Sequence, residues 1–300
     1  MRGGVGLIIL AMSLTPALDG VAKELGREHA PIFVCFARYF SAGIVALAAC
    51  QLLREPIRFS RQGLGGQILR SALMMGAMTA FITALSLVPL ADAVGGFLIA
   101  PMVATALSVL FLGEALTIDK AIGGLLSLLG ALLIMDPGFG MAPGALLALG
   151  GGVLLGCYFA ASRHSSHGEG VISVLAVQSL MGSAMIAPIA LADGVPEVGS
   201  AFFAWSLALG LLSALCHLLT ILAFRLSEAT VLAPFMYFNL IAAIAIGFLW
   251  FGEIPTPTTL LGLGAILLGG LVATLHPGQR ALDARRLALA GGKQAAATAS

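Results

Sequence analysis

The chain alternates between long apolar stretches and short breaks that are polar or rich in Gly and Pro. A membrane-crossing helix needs roughly 20 apolar residues. Ten stretches meet that requirement and predict spans one to ten at about 4–22, 31–53, 67–88, 90–112, 118–135, 143–162, 171–192, 200–224, 229–251 and 258–275. They are too long for membrane β-strands and do not alternate residue by residue. The pattern therefore predicts an all-α integral membrane protein with ten transmembrane helices.

Composition places the chain in a lipid bilayer. Hydrophobic residues make up 59% and charged residues only 10%, whereas a soluble domain carries about 25% charge. Mean hydropathy is +1.05. The net charge of +1 provides no basic stripe for nucleic acid. The four cysteines lie inside apolar stretches without metal-ligand spacing, so we expect buried packing residues, no metal and no cofactor.

Lys and Arg residues predict the orientation of the spans. With the N-terminus inside, twelve of the 15 fall in cytoplasmic segments, Lys23 and Arg27 fall outside, and Arg38 lies within span two. Both termini, including an Ala-rich tail over 277–300, are therefore predicted to be cytoplasmic in a bacterial-type inner membrane. The first stretch could also serve as a signal peptide. It lacks a convincing cleavage site and more apolar stretches follow, so we interpret it as span one.

Two similar short sequence motifs indicate an internal repeat. "LFLGEALT" at 110–117 and "LWFGEIPT" at 249–256 set Glu114 and Glu253 139 residues apart. The same shift aligns Gly123 with Gly262 and Gly130 with Gly269, and a shift of 140 aligns Arg38 with Gln178. The predicted halves, 1–138 and 139–276, have five spans each, so the second must be inverted in the membrane. Chance matching of apolar sequences is the alternative; inverted repeats are typical of secondary carriers.

The clearest stretch of the repeat is "ADAVGGFLIAPMVATALSVLFLGEALTIDKAIGGLLSLLGALLI", with a weaker echo in "EATVLAPFMYFNLIAAIAIGFLWFGEIPTPTTLLGLGAILLGG". From about Val5 to Leu275 the chain resembles the drug/metabolite transporter superfamily, and within it the ten-helix carriers with two EamA-type repeats, whose branches include amino-acid exporters. In the second copy Leu240 stands where Pro101 of the first copy predicts proline, which leaves the kink of span nine open. The resemblance implies a carrier that exports amino acids or other metabolites.

Glu114 and Glu253 each end a span at a tight turn where the next helix begins. A carboxylate there can accept unpaired backbone N–H groups and complement the positive end of the helix dipole. We therefore interpret both as structural turn residues, with proton coupling as the alternative.

Ionisable residues inside spans are costly and mark candidate sites. Asp19, Arg38 and Asp92 fall in the predicted outer third of the membrane. Pairing would lower the cost of each buried charge, so we predict an ion pair or an outer gate. Asp92 could instead cap span four.

Other residues within the spans supply a candidate substrate site. Tyr158, Gln178, His217 and Asn239 could bind a small polar ligand, and His217 could also carry a proton. Simple helix packing is the alternative for His217 and Asn239. The full predicted substrate-binding set is Met78, Thr79, Phe97, Tyr158, Gln178, His217, Tyr237 and Asn239.

The sequence favours a secondary transporter that exports neutral and aromatic amino acids by alternating access. Alternatives are export of cationic drugs, nucleosides or other metabolites, and a non-transporting membrane scaffold. An intramembrane enzyme is disfavoured because no GxSxG motif is present, and ATP-driven pumping is disfavoured because no Walker motif is present. The expected partners are lipid and a small-molecule substrate, and the expected state is a monomer or weak dimer.

Overall fold

A computed structural model describes residues 2–57, 64–112, 118–134, 142–163, 171–192, 194, 196–226, 235 and 238–275. Within these ranges the regular structure is helical. The elements are α1 (Arg2–Leu25), α2 (Pro31–Leu52), α3 (Leu64–Leu85), α4 (Leu90–Phe97), α5 (Ala100–Leu112), α6 (Ile118–Ile134), α7 (Pro143–Arg163), α8 (Val171–Ala190), α9 (Ser200–Leu226), α10 (Phe238–Phe251) and α11 (Pro257–Leu275).

The helices account for the ten predicted spans. Seven segments are long and apolar enough to cross a membrane, and one of them, Leu90–Phe111, comprises α4 and most of α5. Shorter apolar helices in α6, α10 and α11 bring the number within the described ranges to ten. The predicted all-α membrane fold is confirmed. Parts of predicted span nine, residues 229–234 and 236–237, lie outside the described residues.

Span four is broken between α4 and α5. Pro101 stands at the second position of α5, and a proline there can neither donate a hydrogen bond to the carbonyl of Phe97 nor avoid crowding it. The chain turns through Leu98 and Ile99, whose N–H groups bond to carbonyls of Val94, Gly95 and Gly96. The break is therefore the local consequence of a proline inside an apolar stretch.

Helix packing follows the pattern that an inverted repeat produces. The first five spans (α1, α2, α3, α4 with α5, α6) correspond in order to α7, α8, α9, α10 and α11. Helix α1 packs on α9 and, equivalently, α7 packs on α3. The corresponding helices α2 and α8 pack on each other, as do α6 and α11. The boundary predicted at residue 138 lies outside the described residues and stays a prediction.

Close contacts among four glycines show the same two-fold symmetry at the level of atoms. A Cβ atom built on Gly262 would lie 2.5 Å from the carbonyl oxygen of Gly130, and one on Gly269 would lie 2.5 Å from that of Gly123. The sequence repeat equates Gly123 with Gly262 and Gly130 with Gly269. Exchange of the two copies therefore converts the Gly130–Gly262 contact into the Gly269–Gly123 contact. Such reciprocal contact is what a two-fold relation requires. It also makes α6 and α11 antiparallel, as inverted copies must be.

Large apolar side chains cover the outside of the bundle. Leu110, Phe111 and Leu249 are each at least 75% exposed, which in water would form costly apolar patches. The buried core is also apolar and includes Val34 and Ile82. Both sides of each helix are therefore hydrophobic, as a bundle in lipid requires.

We predict opposite effects for two alanine substitutions on α11. Gly262→Ala should lower the free energy of unfolding by about 1–3 kcal/mol, because the added methyl meets backbone atoms that cannot move aside. Gly264→Ala adds a methyl where no atom lies within 4 Å. Because alanine has a higher helix propensity than glycine, Gly264→Ala should leave the free energy of unfolding unchanged or raise it by up to about 1 kcal/mol. Thermal unfolding in detergent measures both; equal effects would contradict the close α6–α11 contact.

Candidate functional site

A cavity of about 180 Å³, lined by both polar and apolar side chains, lies among α1, α2, α3, α8 and α9. These helices come from both predicted halves of the chain. Its walls are formed by Thr15, Leu18, Arg38, Tyr39, Ala42, Met74, Met78, Leu175, Gln178, Ser179, Ser213, Cys216, His217 and Thr220. Four predicted site residues, Arg38, Met78, Gln178 and His217, thus share one cavity.

Asp19 and Arg38 form an ion pair at the edge of this cavity. Nη1 of Arg38 lies 3.4 Å from Oδ1 of Asp19, and the two side chains are 13% and 5% exposed. Arg38 lines the cavity, whereas Asp19 is buried behind it on α1. Each charge lowers the cost of burying the other. The predicted pairing of these two residues is present in the structure.

Gln178 brings a second polar group to the cavity. Its Oε1 accepts a hydrogen bond of 3.2 Å from the hydroxyl of Tyr158. Tyr158 therefore acts behind the cavity wall and fixes the amide, which leaves the NH₂ group of Gln178 to face a ligand. Arg38 and Gln178, equivalent in the sequence repeat, line the same cavity from the paired helices α2 and α8.

Hydroxyl groups and one imidazole complete the polar wall. Thr15 donates to the carbonyl of Ala11 at 2.9 Å, and Thr220 donates to that of Cys216 at 2.7 Å. With their protons used in this way, both hydroxyl oxygens keep lone pairs for a ligand donor. His217 adds a ring that can donate or accept. Of the described residues that line the cavity, none is acidic.

The structure places three predicted substrate residues away from this cavity. The hydroxyl of Thr79 donates to the carbonyl of Met75 at 2.9 Å and touches Sγ of Cys35. Phe97 packs on Phe81 with ring centroids 4.5 Å apart. Oδ1 of Asn239 is buried without a hydrogen-bond partner among the residues described. Thr79 and Phe97 are therefore packing residues here, and Tyr237 lies outside the described part of the chain.

Asp92 does not join the Asp19–Arg38 pair. Its Oδ1 accepts a 2.9 Å hydrogen bond from the hydroxyl of Thr259, near the start of α11. The expected three-residue gate is thus two separate arrangements, because Asp92 lies on α4 beside α11. The alternative expectation, a cap for its own helix, is also not the contact observed.

Glu253 stabilises a helix end, but not the one expected. It follows Gly252, whose φ of +67° lets the chain reverse after α10. Its Oε2 accepts from the backbone N–H of Leu90 at 2.7 Å, at the start of α4. The following helix, α11, is capped instead by Thr256, whose hydroxyl oxygen accepts from the N–H of Thr259 at 3.1 Å. Glu114 lies outside the described residues.

Lys23 completes this arrangement, and sequence reasoning missed its role. Its Nζ lies 2.6 Å from Oε1 of Glu253 and donates to the carbonyl of Val88 at 2.7 Å. We call Lys23, Val88, Leu90 and Glu253 the Lys23–Glu253 cluster. It joins α1 and α4 of the first half to α10 of the second. A shift of 140 residues aligns Lys23 with Arg163. A basic residue thus recurs at this position of both halves, and that recurrence was the available sign of a role beyond orienting the protein in the membrane.

Comparison with known proteins agrees with this architecture. The model of the EamA-like transporter family matches residues 2–136 and 142–275. A solved crystal structure superimposes with a TM-score of 0.66 at 22% identity, covering 91% of this chain and 97% of that one. At this identity the structural likeness shows the fold alone.

Two named relatives span most of the chain. The pseudopaline exporter CntI of Pseudomonas aeruginosa strain UCBPP-PA14 is 28% identical over 286 residues, covering 91% of this chain and 96% of its own length. The S-adenosylmethionine uptake transporter of Rickettsia conorii is 23% identical over 266 residues, covering 88% of this chain and 90% of its own length. Both relatives are named as metabolite transporters.

We predict strong energetic coupling between Lys23 and Glu253. Lys23→Met and Glu253→Gln should each destabilise the protein, and the double variant should recover about 1–3 kcal/mol relative to their sum. The neighbouring Glu24–Arg27 pair provides a matched control, because Arg27 is 61% exposed and exposed pairs contribute about 0.2–1 kcal/mol. Double-mutant cycles from reversible unfolding in detergent measure both. Coupling of similar size in the two pairs would contradict a structural role for the cluster.

Proposed function

The chain belongs to the EamA-like transporter family, and on that premise we propose that it exports small zwitterionic metabolites, with neutral and aromatic amino acids as the substrate class. The observation that carries this proposal is the cavity, with polar side chains in its wall, between helices of the two halves. Polar groups inside a membrane bundle are costly and are typically kept where a solute passes. Carriers built from inverted repeats bind their substrates at such a position.

The cavity wall fits an amino acid better than a cationic drug. A cationic drug would favour an acidic side chain in the wall, and the described lining residues include none. The volume of about 180 Å³ is also below the roughly 300–1,000 Å³ of pockets that hold drug-sized ligands. Leu18, Met74 and Met78 provide apolar contact for a hydrophobic side chain beside the polar groups, which include the hydroxyl of Tyr39, unpartnered within the described residues.

In alternating access, the cavity is closed at one end of the bundle while it is open at the other. The Lys23–Glu253 cluster binds α1, α4 and α10 together at one end of the bundle, and opening that end requires its hydrogen bonds to separate. The distribution of Lys and Arg supports an assignment of this end to the outer face, of both termini to the cytoplasm of a bacterial cell, and of the protein to its inner membrane. Export then includes a step in which the cluster breaks, driven by the difference in ligand contacts between the two states.

Export is the proposed direction because the sequence resembles amino-acid exporters. The named relatives include both an exporter and an uptake transporter, so relatedness supports transport of metabolites in general. The amino-acid class rests on the cavity wall and on the same resemblance.

We predict saturable counterflow of methionine, threonine, phenylalanine or tryptophan in proteoliposomes that contain the purified protein. Gln178→Leu should lower the initial rate about tenfold or more, because a lost hydrogen bond to a charged group is worth about 1.5–3 kcal/mol. Gln51→Leu, the same change at an exposed position on α2, should leave the rate unchanged.

Different results would redirect the proposal. Movement of a cationic dye without amino-acid counterflow would favour drug export. Equal losses in Gln178→Leu and Gln51→Leu would remove the cavity from the transport path. Absence of any counterflow across amino acids, dyes and nucleosides would favour the scaffold alternative.

A further inference from the structure

We propose that Arg38 is the anchor for a carboxylate group of the substrate, and that Asp19 is a resident counter-ion which holds the guanidinium when the cavity is empty. The proposal rests on the transport function above and names the ligand chemistry of the same cavity. It assigns two roles to one ion pair: Arg38 binds, and Asp19 positions.

The first observation is the unused binding capacity of Arg38. A guanidinium carries five N–H donors. Within the described part of the chain, the side chain of Arg38 makes one hydrogen bond, 3.4 Å long, to Asp19. Strong charge-assisted bonds of this type are about 2.7–2.9 Å long. A nearly buried cation with one long contact has room for a second, better acceptor.

The second observation is that Arg38 lies in the cavity wall and Asp19 does not. Arg38 lines the cavity, whereas Asp19 is 4% exposed and is not part of its wall. A solute in the cavity therefore meets the cation first. Its carboxylate can bind the guanidinium on the cavity side while Asp19 stays behind and keeps its own contact with Arg38.

The third observation is the distribution of donors and acceptors around Arg38. Tyr158 occupies the oxygen of the Gln178 amide, so this amide offers its NH₂ group to an acceptor. Thr15 and Thr220 have used their protons on backbone carbonyls, so their oxygens can accept from an ammonium group. Arg38 and Gln178 thus suit a carboxylate, and the two threonines suit an amine.

Charge balance favours a zwitterionic carboxylate over a phosphate. Arg38 and Asp19 together are neutral, so a zwitterion leaves the cavity without net charge. A phosphate monoester carries about −1.5 to −2 charges at pH 7. The described lining residues offer one permanent cation to balance it.

Two small probes test the assignment directly. Propionate and propionamide have nearly the same shape and differ in charge. Their apparent dissociation constants are obtained from the rise in the unfolding temperature of the full-length protein with probe concentration. We expect propionate to bind about tenfold more tightly, a difference of about 1.4 kcal/mol. The preference should disappear in Arg38→Gln and largely persist in Arg38→Lys.

Asp19→Asn gives a result that a purely structural ion pair would not. Removing the resident carboxylate frees the guanidinium, so propionate should bind about tenfold more tightly still, while propionamide binding stays unchanged. Asp92→Asn makes the same chemical change at a site bonded to Thr259 and should not alter the preference. This arm remains decisive if Arg38→Gln does not fold.

The outcomes separate this proposal from the proposed function. Equal binding of the two probes to the unaltered protein, a preference that survives Arg38→Gln, or the same gain in Asp92→Asn as in Asp19→Asn would overturn the role of Arg38. If the preference holds but amino acids show no counterflow, the carboxylate anchor stands and the substrate is another solute that carries a carboxylate group. If amino acids move by counterflow but propionate has no preference, transport stands and the anchor is wrong.

Discussion

The structure depends on one constraint: polar groups in the interior of a bundle without bulk water must find their partners within the protein. Asp19 and Arg38 satisfy it by facing each other, and the N–H of Leu90 satisfies it through a carboxylate 163 residues away. Threonine hydroxyls satisfy it by donating to their own helices. Arg38 and Gln178 keep spare donors and line the cavity together with the hydroxyl of Tyr39, which is unpartnered within the described part of the chain, whereas other unpartnered groups there, such as Oδ1 of Asn239, lie elsewhere. Three groups with free binding capacity therefore lie together in the cavity wall.

The two-fold symmetry of the repeat builds the scaffold, and the positions at which the two halves differ supply the candidate site. The reciprocal contacts of Gly123 with Gly269 and of Gly130 with Gly262 bring α6 and α11 into backbone contact, and small residues at such interfaces are how membrane helices approach closely. At the equivalent positions of α2 and α8 the chain carries different groups, a guanidinium at Arg38 and an amide at Gln178. A nearly two-fold frame thus encloses an asymmetric cavity, which suits ligands with two different ends.

The sequence made the helices and the repeat predictable, because apolar length and recurring Gly-Glu words are local signals. It also indicated Arg38, Gln178 and His217, since polar residues stand out in an apolar span. It did not indicate that Thr79 and Phe97 face the core, because in lipid both sides of a helix are apolar and the pattern does not reveal which side faces inward. The partner of Glu253 was equally hidden: a capping carboxylate is recognisable in sequence, but the distant helix end that it caps depends on packing.

In the proposed alternating-access cycle, the Asp19–Arg38 pair has a consequence for the half in which no substrate is bound. A carrier with a lone guanidinium in its cavity would have to reorient with an unbalanced charge in a low-dielectric interior, and that cost would hold the empty protein in place. With Asp19 beside it, the empty form is already neutral and can reset its orientation. Such a carrier can perform net downhill flux from a single loaded compartment, and its speed is then limited by how readily the empty protein returns.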